Sequence, residues 1–357
     1  MTPPRFGNAA VTIQDVAARA GVSKKTVSRV INGESHVTQA TLRKVQDAIA
    51  ELGYVPNVSA RRLASKRSHV LALVYPVEEP PGWLTHVMQG ILQTAAPRGY
   101  ELVIHPCEPG EEAARRSLQT LVGRGGADGL ILLPPFGGKT PFNLALHESG
   151  LPIASIEPSD PDLPWPAATI TNFQGARDMT DYLLSLGHTR IGFVLGAADY
   201  RGTWDRFEGF KAALAEANVA FPEDLLASGD YHFESGLAAG RALLSKRPRP
   251  TAIFASNDEM AAGVMQAAGE QGLRIPDDLS VAGFDDSALA CRLSPPLTTI
   301  RQPTADLAAR VTEALIARIN SEEAPSGRIE METTLIIRAS TAWGLAPEPQ
   351  PPRSRKR

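Results

Sequence analysis

Cysteine is scarce. Only Cys107 and Cys291 occur in 357 residues, far apart, which excludes a disulfide framework and a cysteine-built metal site. Both thiols are expected to be unpaired and buried. Nowhere do about 18 apolar residues run together, so no ordinary membrane-spanning helix is expected. The opening MTPPRFGNAA lacks the basic-then-apolar layout of an export signal, so the chain is expected to stay in the cytoplasm. Catalytic constellations are missing too. The pair Asp285-Asp286 has no base or metal set beside it, and no nucleophile-base arrangement stands out. The glycines Gly123, Gly125, Gly126 and Gly129 precede an apolar run, whereas a dinucleotide loop follows a strand and opens a helix. No enzyme activity, cofactor or metal is expected.

What is present is a soluble globular composition, 43% hydrophobic and 21% charged. The length exceeds one ordinary domain and suits a small module joined to a larger two-lobed body. The formal net charge of -3 hides an asymmetry. Residues 1–69 carry eleven Arg and Lys against four Asp and Glu, so they are seven charges positive and the remainder ten negative. A basic head on an acidic body suggests that the head alone meets a polyanion.

The head reads as three short helices. Thr12 with Asp15 forms a capping signal ahead of Ile13, Val16, Ala17 and Ala20 at helical spacing. Gly21-Val22-Ser23 breaks that helix, with Ser23 able to cap a second one from Lys24. Val27, Val30 and Ile31 face inward there, leaving Lys24, Lys25, Ser28 and Arg29 outward. A third helix spans Thr38 to Leu52, with Leu42, Val45, Ile49 and Leu52 as its stripe and Gly53 as its stop. A short turn before a short basic helix fits a recognition helix in the major groove of double-stranded DNA. Lys24, Lys25 and Arg29 are the candidate base readers, since Arg29 can donate two hydrogen bonds to a guanine edge. Ser23, Thr26, Ser28 and Asn32 are candidate phosphate contacts, extended by Thr12, His36, Tyr54 and Asn57. A solvated basic helix would explain the charges, but not the turn, cap and spacing together.

The segment Asn57 to Lys66 is short and Ala-rich, marginal as an isolated helix in water. Beyond it, apolar runs alternate with helical stretches: VLALVY at Val70, YELVIH at Tyr100, GLILL at Gly129 and PIASI at Pro152. A second series begins near Ala168, with strands at Arg190, Thr251 and Leu279. The alternation predicts an α/β body of two doubly wound parallel-sheet lobes with a cleft between them. Ligands of such sheets sit outside the carboxyl ends of strands. Arg206, Tyr231, Asn257 and Asp285 follow predicted strands of the second lobe. An Arg and an Asp can hold a polyol while an aromatic face covers its apolar side, which suits a sugar. Structural roles compete with this reading: an ion pair for Arg206, a helix cap for Asn257, a turn carboxylate for Asp285. Trp83 can stack on a sugar ring or fill the core. The ending APEPQPPRSRKR reads as a disordered, basic tail over 346–357.

The stretch TIQDVAARAGVSKKTVSRVING at Thr12 to Gly33 closely resembles the signature of the lactose-repressor (LacI) family of transcriptional regulators. Further matching motifs are AIAELGYVPN at Ala48, LGHTRIGF at Leu186, RFEGF at Arg206, SNDEMAAG at Ser256, VAGFDD at Val281 and PPLTTIRQP at Pro295. The resemblance implies a homodimer on a pseudo-palindromic operator, a repressor of carbohydrate-utilisation genes controlled by a small effector, a sugar. A regulator answering to a purine or another metabolite is one alternative, and a sugar-binding protein without a DNA role is another. The resemblance also implies a hinge helix that wedges Leu63 into the minor groove, with Arg61 and Lys66 adding phosphate attraction. Ser65 departs from the glycine common there. In the body it selects Arg206, Asn257 and Asp285 as effector contacts, with Tyr231 at an aromatic position. The expected bounds are 1–56 for the helix-turn-helix domain, 57–68 for the hinge and 69–345 for the effector-binding and dimerisation domain. Within the last, lobe 1 covers about 69–165 and 300–327, and lobe 2 about 166–299 and 328–345.

Overall fold

A computed structural model describes residues 11–31, 37–54, 67–77, 81–108, 110–123, 125–322 and 328–344. The hinge segment, and with it Leu63, Asn57, Arg61, Ser65 and Lys66, lies outside the described residues, as do Asn32, His36 and the tail. The chain divides into two compact units, Met1–Ser68 and His69–Arg357. No helix among the described residues is long and apolar enough to cross a membrane.

The first unit contains α1 (Ile13–Ala20), α2 (Lys24–Ile31) and α3 (Gln39–Leu52). Its helix starts are chemical. The Thr12 side chain accepts from the Asp15 N–H while the Thr12 N–H donates to Asp15 Oδ2 at 2.8 Å, a complete capping box. Ser23 Oγ accepts from the Thr26 N–H at 3.1 Å, and Thr38 Oγ1 from the Thr41 N–H at 3.3 Å. Gly21 (φ 66°) and Gly53 (φ 61°) close α1 and α3 in left-handed conformations that side chains resist. Val16, Val27 and Val45, one from each helix, are wholly buried and form the centre of this small core.

In the second unit, strands are β1 (Val70–Pro76), β2 (Glu101–Cys107), β3 (Gly129–Leu132), β4 (Ile153–Ile156), β5 (Ala167–Ile170), β6 (Ile191–Val194), β7 (Leu226–Ala227), β8 (Ala252–Ala255), β9 (Ser280–Ala282), β10 (Thr299–Arg301), β11 (Arg328–Met331) and β12 (Thr334–Ile336). A six-stranded sheet runs β11-β5-β4-β3-β1-β2 and a four-stranded sheet β7-β6-β8-β9, parallel throughout. Strands β1, β3, β4, β6 and β8 are almost wholly buried, because helices cover both faces. Phe193, Phe210 and Phe254 pack at tilted and edge-on angles in the core around the second sheet, each ring contributing roughly 1.5–3 kcal/mol through burial. Helix Thr304–Ile319 lies across β3, β4 and β5 and against helix Pro81–Ala95. That crossing is tight: a Cβ on Gly90 would stand 2.0 Å from the Ala305 carbonyl oxygen.

Two segments lie elsewhere than the sequence pattern suggests. Ala167–Ile170 does not open the second lobe; it is β5 of the first sheet, paired with β4. Arg328–Met331, expected in the second lobe, is the edge strand of the first, paired with β5. Only after that edge does the chain cross over, through β12, which runs antiparallel to β10. Long-range pairing decides lobe membership, and a four-residue apolar run carries no mark of its neighbour. The thiols also differ from expectation, since Cys107 is buried but Cys291 is exposed.

Candidate functional site

A cleft opens at the carboxyl ends of the strands, and all five body residues singled out in the sequence line it. Trp83 and Pro134 come from the first lobe, Glu157 follows β4, and Arg206, Tyr231, Asn257 and Asp285 follow strands of the second sheet. Placement beyond strand ends follows from the doubly wound architecture, where helix starts and connecting loops leave the sheet together.

Arg206 is the centre of the arrangement. It is 7% exposed, and its guanidinium stacks 3.8 Å from the centroid of the Phe284 ring. Nε donates to Asn172 Oδ1 at 2.8 Å and Nη1 to the Ser256 carbonyl at 2.5 Å. The Asn172 amide in turn donates to Glu157 Oε2 at 2.7 Å, and the Ile170 N–H donates to Glu157 Oε1 at 2.6 Å. One buried amide thus joins the cation to the carboxylate. Burial pushes the Glu157 carboxyl above its ordinary value, against its hydrogen bonds and the Arg206 charge.

Tyr231 supplies an aromatic wall. Its hydroxyl is 2.5 Å from Thr203 Oγ1, and its ring lies 5.5 Å from that of Tyr200. Asn257 is wedged beneath it. Oδ1 caps helix Asp258–Glu270 by accepting from the Met260 N–H at 2.9 Å, while Nδ2 donates to the Tyr231 carbonyl at 2.8 Å. The helix-cap role weighed for Asn257 is therefore occupied, with one amide hydrogen left over. Asp285 accepts from the Gln302 amide. Its neighbour Asp286 turns to Arg301, at 2.6 Å, and to Arg338, so the turn-stabilising carboxylate of the pair is Asp286. Trp83 fits both of its readings: it is half-buried, packs on the body's core and lines the cleft.

Glu157 (φ 50°), Tyr231 (φ 73°) and Asp285 (φ 123°) all hold positive φ angles that non-glycine residues rarely adopt. Such conformations cost on the order of 1–3 kcal/mol each and gather at sites where side-chain direction matters.

Sequence reasoning missed Glu157, Tyr200, Arg201 and Gln302. The signal was available, since Glu157 directly follows PIASI and Gln302 sits inside TTIRQP. Tyr200 and Arg201 open helix Arg201–Glu216 and span the cleft mouth. Tyr200 Oη donates to the Pro134 carbonyl at 3.2 Å, and Arg201 Nη1 to the Ser159 carbonyl at 3.3 Å.

In the first unit, Lys24 and Lys25 are exposed at the start of α2, while Ser28 and Arg29 are half-buried on it. Thr12 and Ser23 serve as helix caps, the Ser23 and Thr26 hydroxyls lie 2.9 Å apart, and Tyr54 packs on the small core. Arg19 and Glu51 tie α1 to α3 at 2.5 Å.

Residues 12–57 match the family model described as bacterial regulatory proteins, lacI family, and residues 180–341 match that of a periplasmic binding protein-like domain. The ribose operon repressor of Escherichia coli (strain K12) is 35% identical over 341 residues, covering 92% of this chain and 99% of that protein. A solved lac repressor dimer bound to operator and the anti-inducer ONPF shares 29% identity with a TM-score of 0.76, covering 94% of this chain and 100% of the other. The complex of the transcriptional regulator CelR with cellobiose shares 32% identity with a TM-score of 0.69, covering 92% and 99%. A helix-turn-helix unit, a two-lobed α/β body and similarity to named repressors over most of the chain meet in one molecule, and the chain belongs to the lacI family of bacterial regulatory proteins.

Proposed function

We propose that this protein is a repressor of carbohydrate-utilisation genes that binds a pseudo-palindromic operator as a homodimer and releases or grips it according to a sugar held in the cleft. The cleft carries this reading. A stacked arginine, two carboxylates and the rings of Trp83, Tyr200 and Tyr231 converge on it, the combination that holds hydroxyls at the edge of a sugar and covers its apolar face. Relatives named for ribose and solved with cellobiose support a sugar over other metabolites. Arg206, Tyr231, Asn257, Asp285 and Trp83 are the proposed contacts. In the head, Lys24, Lys25 and Arg29 read bases and Leu63 enters the minor groove. The chain acts by binding, not by catalysis, and works in the cytoplasm.

The sugar acts by preferring one lobe arrangement, because a ligand shifts an equilibrium only through its differential affinity for the two states. Tyr200 and Arg201, bonded across the cleft mouth, hold the lobes in the arrangement described. Thermal denaturation of the full chain with D-ribose, cellobiose and adenosine tests the reading. A sugar at about one hundred times its Kd stabilises by about 2.7 kcal/mol, a rise of several degrees. Arg206→Ala is expected to remove that rise while retaining operator binding. No shift with either sugar alongside a shift with adenosine would replace the sugar by a purine, and a full response in Arg206→Ala would make Arg206 structural.

A further inference from the structure

The connection between β9 and β10 contains two consecutive non-glycine residues with left-handed backbones, Asp285 at φ 123° and Asp286 at φ 56°. Such a turn reverts unless it is held. Its side chains are tethered, Asp285 by Gln302 and Asp286 by Arg301 and Arg338. The following residue is held from the interior. The Ser287 N–H donates to Asp258 Oδ2 at 2.7 Å, its hydroxyl to the same oxygen at 2.9 Å, and the Thr299 hydroxyl to Oδ1 at 2.6 Å. Asp258 is wholly buried, opens helix Asp258–Glu270 and does not line the cleft. Its approach requires glycine opposite, since a Cβ on Gly283 would stand 2.5 Å from Asp258 Oδ1.

We propose that Asp258 is a positioning residue for the effector site, pinning Ser287 and Thr299 so that Asp285 stays in the strained conformation that brings it to the cleft. This rests on the reading of the cleft as the effector site. The hold depends on pH. Burial pushes the Asp258 carboxyl from 3.8 up to about 7, opposed by its bonds to Thr299 and Ser287 and aided by the Asp286 charge. Asp286 is itself paired with Arg301 and Arg338; on the helix of Asp258, the adjacent Glu259 faces His232 and Glu234. Opening the turn returns Asp258 to water and to an ordinary value. The closed turn therefore binds the proton more tightly, and its extra stability, complete below 3.8, is lost as pH rises through about 7.

Hydrogen exchange of the full chain, followed by mass spectrometry over residues 283–290 and corrected for intrinsic rates, tests this at about pH 6 and about pH 8. Protection in the unsubstituted chain is expected to fall about tenfold between the two. Asp258→Asn, neutral at both, is expected to show no step, and Asp258→Ala to lose protection at both. Equal protection of the unsubstituted chain at both pH values, or the same fall in Asp258→Asn, would overturn the proposal. Those two proteins decide the matter even where Asp258→Ala does not fold. D-ribose and cellobiose titrations run alongside: if neither binds, the effector reading fails while the exchange result still settles what Asp258 holds.

Discussion

The ring of Tyr231 fills the space that a side chain on Gly196 would need: a Cβ there would lie 2.1 Å from Tyr231 Cζ. Gly196 follows β6, so the aromatic wall of the cleft is built on a residue with no side chain at all. Gly196→Ala is expected to drive the ring from its place, breaking its contact with Thr203, at about 1–3 kcal/mol of overpacking. Sugar affinity should fall at least about tenfold, and operator affinity should stay within about twofold. Parallel sugar and operator titrations check this, and equal losses in both would show that the substitution damages the whole chain.

Glu157 makes body stability depend on pH in a definite direction. Its folded value is raised by burial, so its contribution is complete below the ordinary 4.5 and is lost as pH rises through the raised value. Glu157→Gln removes the ionisation and is expected to flatten that part of the profile; its one carbonyl oxygen can keep the bond from Ile170 or that from Asn172, and the other donor then faces the amide NH2. Urea denaturation across pH reads it. A slope unchanged by the substitution would mean that another group titrates there.

These residues show what a sequence discloses and what it withholds. Apolar runs at Val70, Gly129, Ile191 and Ala252 mark buried strands, because covered parallel sheets require them, and the rule that ligands sit beyond strand ends then finds Arg206 and Asn257. The capping box at Thr12 and the stop at Gly53 are local chemistry and read directly. Lobe membership is different. β5 and β11 belong to the first sheet through pairings with β4 and with each other, which span up to 161 residues and leave no local trace. The left-handed backbones of Glu157, Tyr231 and Asp285 are equally hidden, since no glycine marks them. The cleft-spanning bonds of Tyr200 and Arg201 depend on the placement of two lobes and are legible only in three dimensions.

The proposed contacts of the head separate base choice from phosphate attraction. The three proposed base readers all stand on α2, Lys24 and Lys25 exposed at its start and Arg29 half-buried further along. Arg29→Ala is expected to cost about 1–3 kcal/mol on the preferred operator and to relax discrimination at one base pair in each half-site. Removing a proposed phosphate contact, as in Thr26→Ala, should instead weaken all duplexes alike. Binding to a panel of single-base operator variants distinguishes the two; uniform loss for Arg29→Ala would move that residue to the phosphates.

The central claim is that a sugar in the cleft governs DNA binding by the head. Selection of duplexes from a random pool by the full chain, followed by titration of the winning duplex with and without D-ribose and cellobiose, measures it directly. A pseudo-palindromic duplex bound at least about a thousandfold more tightly than random DNA is expected, with affinity changed by about five- to 150-fold when a sugar binds. Failure to enrich any duplex, or an operator affinity that stays the same with sugar bound in the cleft, would contradict it.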